Sequence, residues 1–95
     1  MSSVRINCLE ITDWSSFHGV FKKTMGFPEF YGNNMNAWID CMSYLDENEG
    51  MSHVKIEKGT VLIVELVNSN HLSTHHPEIY SGLIECAAAV NEFHD

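Results

Sequence analysis

The run Thr60 to Val67, TVLIVELV, constrains the fold more than any other stretch of the chain. Its apolar residues, many β-branched, are nearly continuous rather than alternating with polar ones. That pattern predicts a strand buried on both faces, as in a parallel sheet. A parallel sheet places the chain among α/β folds, and the other segments fit that class.

Val4 to Ile11, VRINCLEI, places Val4, Ile6, Cys8 and Leu9 among polar residues and predicts a second strand, ending near Leu9. Thr12 or Asp13 suits the cap of a helix from about Trp14 to Met25. Phe17, Val20, Phe21 and Met25 share one face of that helix, and Lys22 and Lys23 sit near its C-terminus, where positive charge suits the dipole. Gly26 fits the helix stop, and Pro28 prevents continuation. Asn33 or Asn34 caps a second helix over Met35 to Leu45, with Met35, Trp38, Ile39 and Met42 as its inner stripe. Val54 to Ile56 is a short piece placed to pair with Thr60–Val67 through a turn at Lys58-Gly59. Asn68 to His76 holds a short helix or turn. Pro77 opens a last helix to about Glu92, with Leu83, Cys86, Ala87 and Val90 facing inward. The expectation is one domain, residues 1–95: a small parallel sheet packed by three to four helices.

Charge narrows the function. Thirteen acids against five Lys and Arg give a formal net charge of −8. Such a field repels phosphates, so nucleic acid is not the expected partner. It steers encounter with a basic protein, although acidity also serves plain solubility. No run reaches the ~18 apolar residues of a membrane span. MSSVRINCLE has no basic region followed by an apolar stretch, so no secretory signal is expected and the cytoplasm is the expected compartment. Cys8, Cys41 and Cys86 are odd in number and widely spaced, which predicts reduced thiols serving as small core residues.

Phe27 to Met42, FPEFYGNNMNAWIDCM, carries the expected binding surface. Phe30-Tyr31-Gly32 is read as an exposed loop leading into the second helix. The outer face of that helix is expected to hold Asn36, Asp40, Ser43 and Tyr44. A mid-helix acid is ordinarily a solvated surface residue. Here its helical neighbours are uncharged, and aromatics stand at the start of the helix. Interfaces favour that set: aromatic anchors, few Lys, and one acid that a partner can desolvate and pair. Enzyme chemistry finds little support. Glu47 and Glu49 lie in an acidic loop, more simply solvated than catalytic. Cys41 follows Asp40 and diverges from it by about 100° on a helix. No glycine-rich phosphate loop is present. His71 and His75 would share a helix face near His76, but no Cys or Asp pair at standard spacing completes a metal site. The expectation is no enzyme, no metal and no cofactor.

From Phe17 to Met42, FHGVFKKTMGFPEFYGNNMNAWIDCM, the chain resembles the barstar family of small intracellular ribonuclease inhibitors. The acidic loop and the stretch Glu85-Cys86-Ala-Ala-Ala-Val90-Asn91 look closer to barstar-like immunity proteins of bacterial toxin systems. The resemblance implies a barstar-like α/β fold that blocks the active site of a basic nuclease toxin. Asp40 matches the acid that enters the ribonuclease phosphate pocket. Phe30 stands where the family often has an interface tyrosine, and Tyr31 and Gly32 match directly. Asn36 replaces an acid, Ile39 replaces an exposed tryptophan with Trp38 shifted one place inward, and Ser43 matches an interface threonine. Glu85 and Glu92 are candidates for an acid contributed by the last helix. The runner-up is a binding module of the same fold whose partner is no nuclease. Relatives add a third parallel strand after the last helix. With the sequence stopping at Asp95, the expectation is either that this strand is missing or that the sequence is truncated; a missing strand leaves an open sheet edge for another copy, by self-association, or a partner to cover.

Overall fold

A computed structural model describes residues 2–29, 31–46 and 54–94. Strand β1 spans Ser2–Asn7, helix α1 Trp14–Met25, helix α2 Met35–Ser43, strand β2 Leu62–Val67, helix α3 Ser69–His75 and helix α4 Pro77–His94. The two strands pair in parallel, with Ser2 opposite Leu62 and Asn7 opposite Val67. Among the described residues a small parallel sheet is packed by four helices, the expected α/β class. Arg5 and Glu65 are register mates and pair at 3.2 Å, but both are exposed, so the bridge contributes at most about 1 kcal/mol.

β1 stops at Asn7 rather than running on to Leu9. The Asn7 side chain accepts from the Leu9 amide at 3.1 Å and turns the chain into one 3-10 turn, Cys8–Glu10. The turn buries Cys8. Of the two cap candidates, α1 uses Asp13. Its carboxylate accepts from the Ser16 amide at 2.7 Å, and the Ser16 hydroxyl returns to the Asp13 amide at 3.0 Å. Hydrogen bonds from the Ser16 amide and side chain to the carboxylate favour its charged form and lower the Asp13 pKa. At its other end α1 stops at Gly26, in the left-handed conformation at φ 67°. Asn34, not Asn33, caps α2, accepting from the Ala37 amide at 2.8 Å. α2 ends at Ser43, two residues short of the expected Leu45.

Val54 to Ile56 is not a strand. Its amides are taken elsewhere: Val54 donates to the Met25 carbonyl and Ile56 to the Leu45 carbonyl, both at 3.0 Å. The segment therefore seals the ends of α1 and α2 instead of pairing with β2. β2 is also shorter than the sequence suggests and is not buried on both faces. Leu62, Val64 and Leu66 are half-buried, whereas Val61 is 58 % exposed and Ile63 45 %. An apolar strand shows that both faces could be covered. Whether an element covers the outer face depends on the rest of the fold.

The core joins Ile6, Cys8 and Ile11 to Phe17, Phe21 and Met25 of α1, Trp38, Cys41 and Met42 of α2, Leu72 of α3, and Ile79 and Leu83 of α4. Phe21 meets Trp38 edge-on, ring centroids 5.6 Å apart. Each large apolar side chain removed from water here contributes about 1.5–3 kcal/mol. Cys8 and Cys41 are buried and Cys86 is half-buried, and no disulfide joins them. No helix among the described residues is long and apolar enough to cross a membrane.

Candidate functional site

The loop between α1 and α2 sets up one exposed surface. Phe27 folds inward after Gly26, with its amide donating to the Lys22 carbonyl at 3.1 Å. The Tyr31 amide donates to the Pro28 carbonyl at 2.9 Å and tightens the turn. Tyr31 then points into the protein. It is only 6 % exposed, its ring lies 4.8 Å from that of Phe27, and its hydroxyl is 2.6 Å from Nδ1 of His18. The expectation of an exposed Tyr31 is thus corrected: a buried partner on α1 holds the phenol inside. Phe30 lies outside the described residues.

Gly32 is exposed, and its carbonyl accepts from Asn34 Nδ2 at 3.2 Å. A side chain at 32 would place its first carbon 3.0 Å from that amide nitrogen, so glycine lets the cap close tightly. From there α2 presents Asn36, Asp40 and Tyr44 to solvent at steps of four, one row along the helix. Asp40 makes no hydrogen bond or ion pair with another described residue. Ile39 is half-buried and packs against the core. Trp38 is buried, the inward placement inferred from its one-place shift.

Ser43 corrects the sequence reading. It shares the angular position of Asn36 two turns later, yet it is only 4 % exposed. The last turn of α2 is enclosed: Met42 and Leu45 flank it and are buried, and the Leu45 carbonyl is taken by Ile56. A side chain there cannot reach a partner unless that end opens.

His18 is the residue that sequence reasoning missed. It is 3 % exposed and packs among Trp14, Phe17 and Tyr31. Burial disfavours its charged form and lowers its pKa, and burial likewise raises that of Tyr31. The signal was available: His18 lies four residues after Trp14 and three before Phe21, at the edge of the apolar stripe beside Met25.

His71 and His75 stack at 4.2 Å, and His75 Nδ1 lies 3.0 Å from the His71 carbonyl oxygen. His76 joins α3 to α4 through its backbone, donating to Leu72 and accepting from Ile79 and Tyr80. Among the described residues no three metal-capable side chains come together. Glu85 and Glu92 are exposed on α4, and Glu47 and Glu49 lie outside the described residues. A separate groove of about 670 Å³ opens between β2, α2 and α4, lined by Trp38, Met42, Leu62, Val64, Leu83 and Ile84 among others. It is largely apolar. The Trp38 indole nitrogen is buried without a hydrogen-bond partner among the described residues.

The exposed row is therefore a nearly uncharged strip around one carboxylate that has no side-chain partner among the described residues. No solved structure matches the chain. A family model described as Barstar (barnase inhibitor) matches residues 1–95, the whole sequence. On that match, the chain belongs to the Barstar family.

Proposed function

We propose that this chain inhibits a basic ribonuclease of the barnase type, a toxin of the same or a neighbouring cell, by filling its active-site cleft. It acts as an immunity protein. The family supports a ribonuclease as the partner class. The observation that carries the mechanism is Asp40: exposed, without a side-chain partner among the described residues, and central in the row Asn36–Asp40–Tyr44. A ribonuclease cleft holds cations placed for substrate phosphate. A carboxylate entering it forms charge-assisted hydrogen bonds and occupies the phosphate position. Gly32 lets a partner backbone approach closely, Asn36 and Tyr44 supply hydrogen bonds and area on either side, and Ile39 adds apolar contact at the edge. Phe30 is a further proposed contact with the partner, on the sequence alone. Tyr31 and Ser43 support it from inside.

The net charge of −8 steers the encounter. No cofactor takes part. The experiment is a titration of the purified protein into a barnase-type ribonuclease while RNA cleavage is followed. Inhibition that completes at one chain per enzyme and weakens in high salt supports the reading. Undiminished cleavage at excess protein, with the neighbouring gene's nuclease tested alongside, contradicts it.

A further inference from the structure

Trp14 opens α1 with a large aromatic side chain that remains 38 % exposed, so core burial alone does not account for it. Its ring meets Phe17 edge-on, centroids 5.3 Å apart, and two further contacts define its place. On one side it lies over Gly82 of α4, where an added methyl carbon would come within 2.9 Å of its Cη2. On the other it stacks on His18, with ring centroids 6.1 Å apart and planes 27° apart. Gly82 sits well inside an 18-residue helix, where glycine is a poor helix former. The contact with Trp14 gives that glycine a reason.

The contacts continue from there. His18 reaches Tyr31 through the 2.6 Å bond, and Tyr31 is followed by Gly32, whose carbonyl holds the Asn34 cap. Three side chains thus link Gly82 of α4 to the start of the exposed row: Gly82 seats Trp14, Trp14 covers His18, His18 holds Tyr31. We infer that Trp14 is a positioning residue, clamped between Gly82 and His18, that sets the backbone of the loop presenting the binding face. The inference rests on the inhibitor reading for its purpose, but not for its structural content. Tyr31 is bonded to a ring that can tilt about its own side-chain axis, and a stacked indole removes that freedom. Without the clamp, the hydroxyl contact survives only in some orientations. Gly32 and the α2 cap then sample positions that a rigid cleft does not accept.

The test uses the full-length chain in Gly82→Ala, Trp14→Ala and Trp14→Phe variants. Nuclear magnetic resonance follows the His18 ring and the amides of Tyr31, Gly32 and Ala37. Alanine is the better helix former, so Gly82→Ala displaces Trp14 without threatening α4. The expected result is shifted His18 and Gly32 signals in Gly82→Ala, with exchange at Tyr31 and Ala37 faster by roughly tenfold and an unchanged melting temperature. Trp14→Ala shows the same changes more strongly, and Trp14→Phe, which keeps a ring over His18, restores the wild-type pattern. In parallel, Gly82→Ala inhibits a barnase-type ribonuclease several-fold less well. Loop signals unchanged in Gly82→Ala would overturn the inference, even if Trp14→Ala failed to fold. So would a lowered melting temperature in Trp14→Ala with the loop undisturbed. Asp40→Ala, run beside them, separates the two readings. If it leaves inhibition unaltered, the inhibitor mechanism fails, while the resonance data still decide the role of Trp14.

Discussion

The Nδ1 nitrogen of His18 lies 2.6 Å from the hydroxyl of Tyr31, and this buried bond ties α1 to the loop that opens the exposed row of α2. Both rings are uncharged in the folded protein around neutral pH, because burial lowers the His18 pKa and raises that of Tyr31. Tyr31→Phe leaves a buried ring nitrogen without its partner, and a cost of about 1–3 kcal/mol is expected in urea unfolding. An effect within a few tenths of a kcal/mol would mean that the bond carries no stability.

His18 also sets a pH dependence. Its folded pKa lies below the ordinary value of 6.5, so below that pH the unfolded chain takes up a proton that the folded chain resists. This contribution is complete above pH 6.5 and is lost as pH falls from 6.5 towards the folded pKa. Stability measured across that window should fall with acidity in the wild type and fall less in His18→Gln. Equal slopes in the two proteins would remove His18 from the account.

Asn34 caps α2 and braces Gly32 with the same side chain. Asn34→Ala is expected to cost about 1 kcal/mol of stability, the usual worth of a cap. It should also weaken ribonuclease inhibition beyond what Asn34→Asp does, since aspartate still caps. Equal inhibition by the two variants would show that the loop does not depend on the cap.

β2 pairs with β1 along one edge, and among the described residues no strand occupies the other. Val61 and Ile63 are exposed beside it, and the apolar groove opens between β2 and α4. Association of a second copy through this edge is expected, because an unpaired apolar edge offers backbone groups to any extended segment. Light scattering should show a mass that rises with concentration in the wild type and not in Ile63→Lys. A constant monomer mass for the wild type would rule this out.

Much of this architecture is written in local patterns. The Phe17–Phe21–Met25 stripe, Asp13 ahead of it and Gly26 behind it fix α1 with little help from tertiary context. Pro77 does the same for the start of α4. What the chain hides is decided between elements. Tyr31 reads as an exposed loop aromatic because its partner, His18, lies thirteen residues back. Ser43 reads as surface because the segment near Ile56 that bonds the end of α2 comes later in the chain. Ile63 reads as buried because an apolar strand does not say which of its faces the helices cover. The exposed position of Asp40 was legible for the opposite reason: an isolated acid on an uncharged helix face needs no distant partner to be noticed.

The central claim is that Asp40 replaces a substrate phosphate. Isothermal titration of wild type and Asp40→Ala against the ribonuclease tests it most directly. Removing a carboxylate desolvated opposite cations should cost at least ~2 kcal/mol of binding, because the cations remain buried and unpaired. The fold should persist, since Asp40 is exposed and α2 keeps its Asn34 cap. A loss under about 1 kcal/mol, the size of an ordinary rim contact, would contradict the claim.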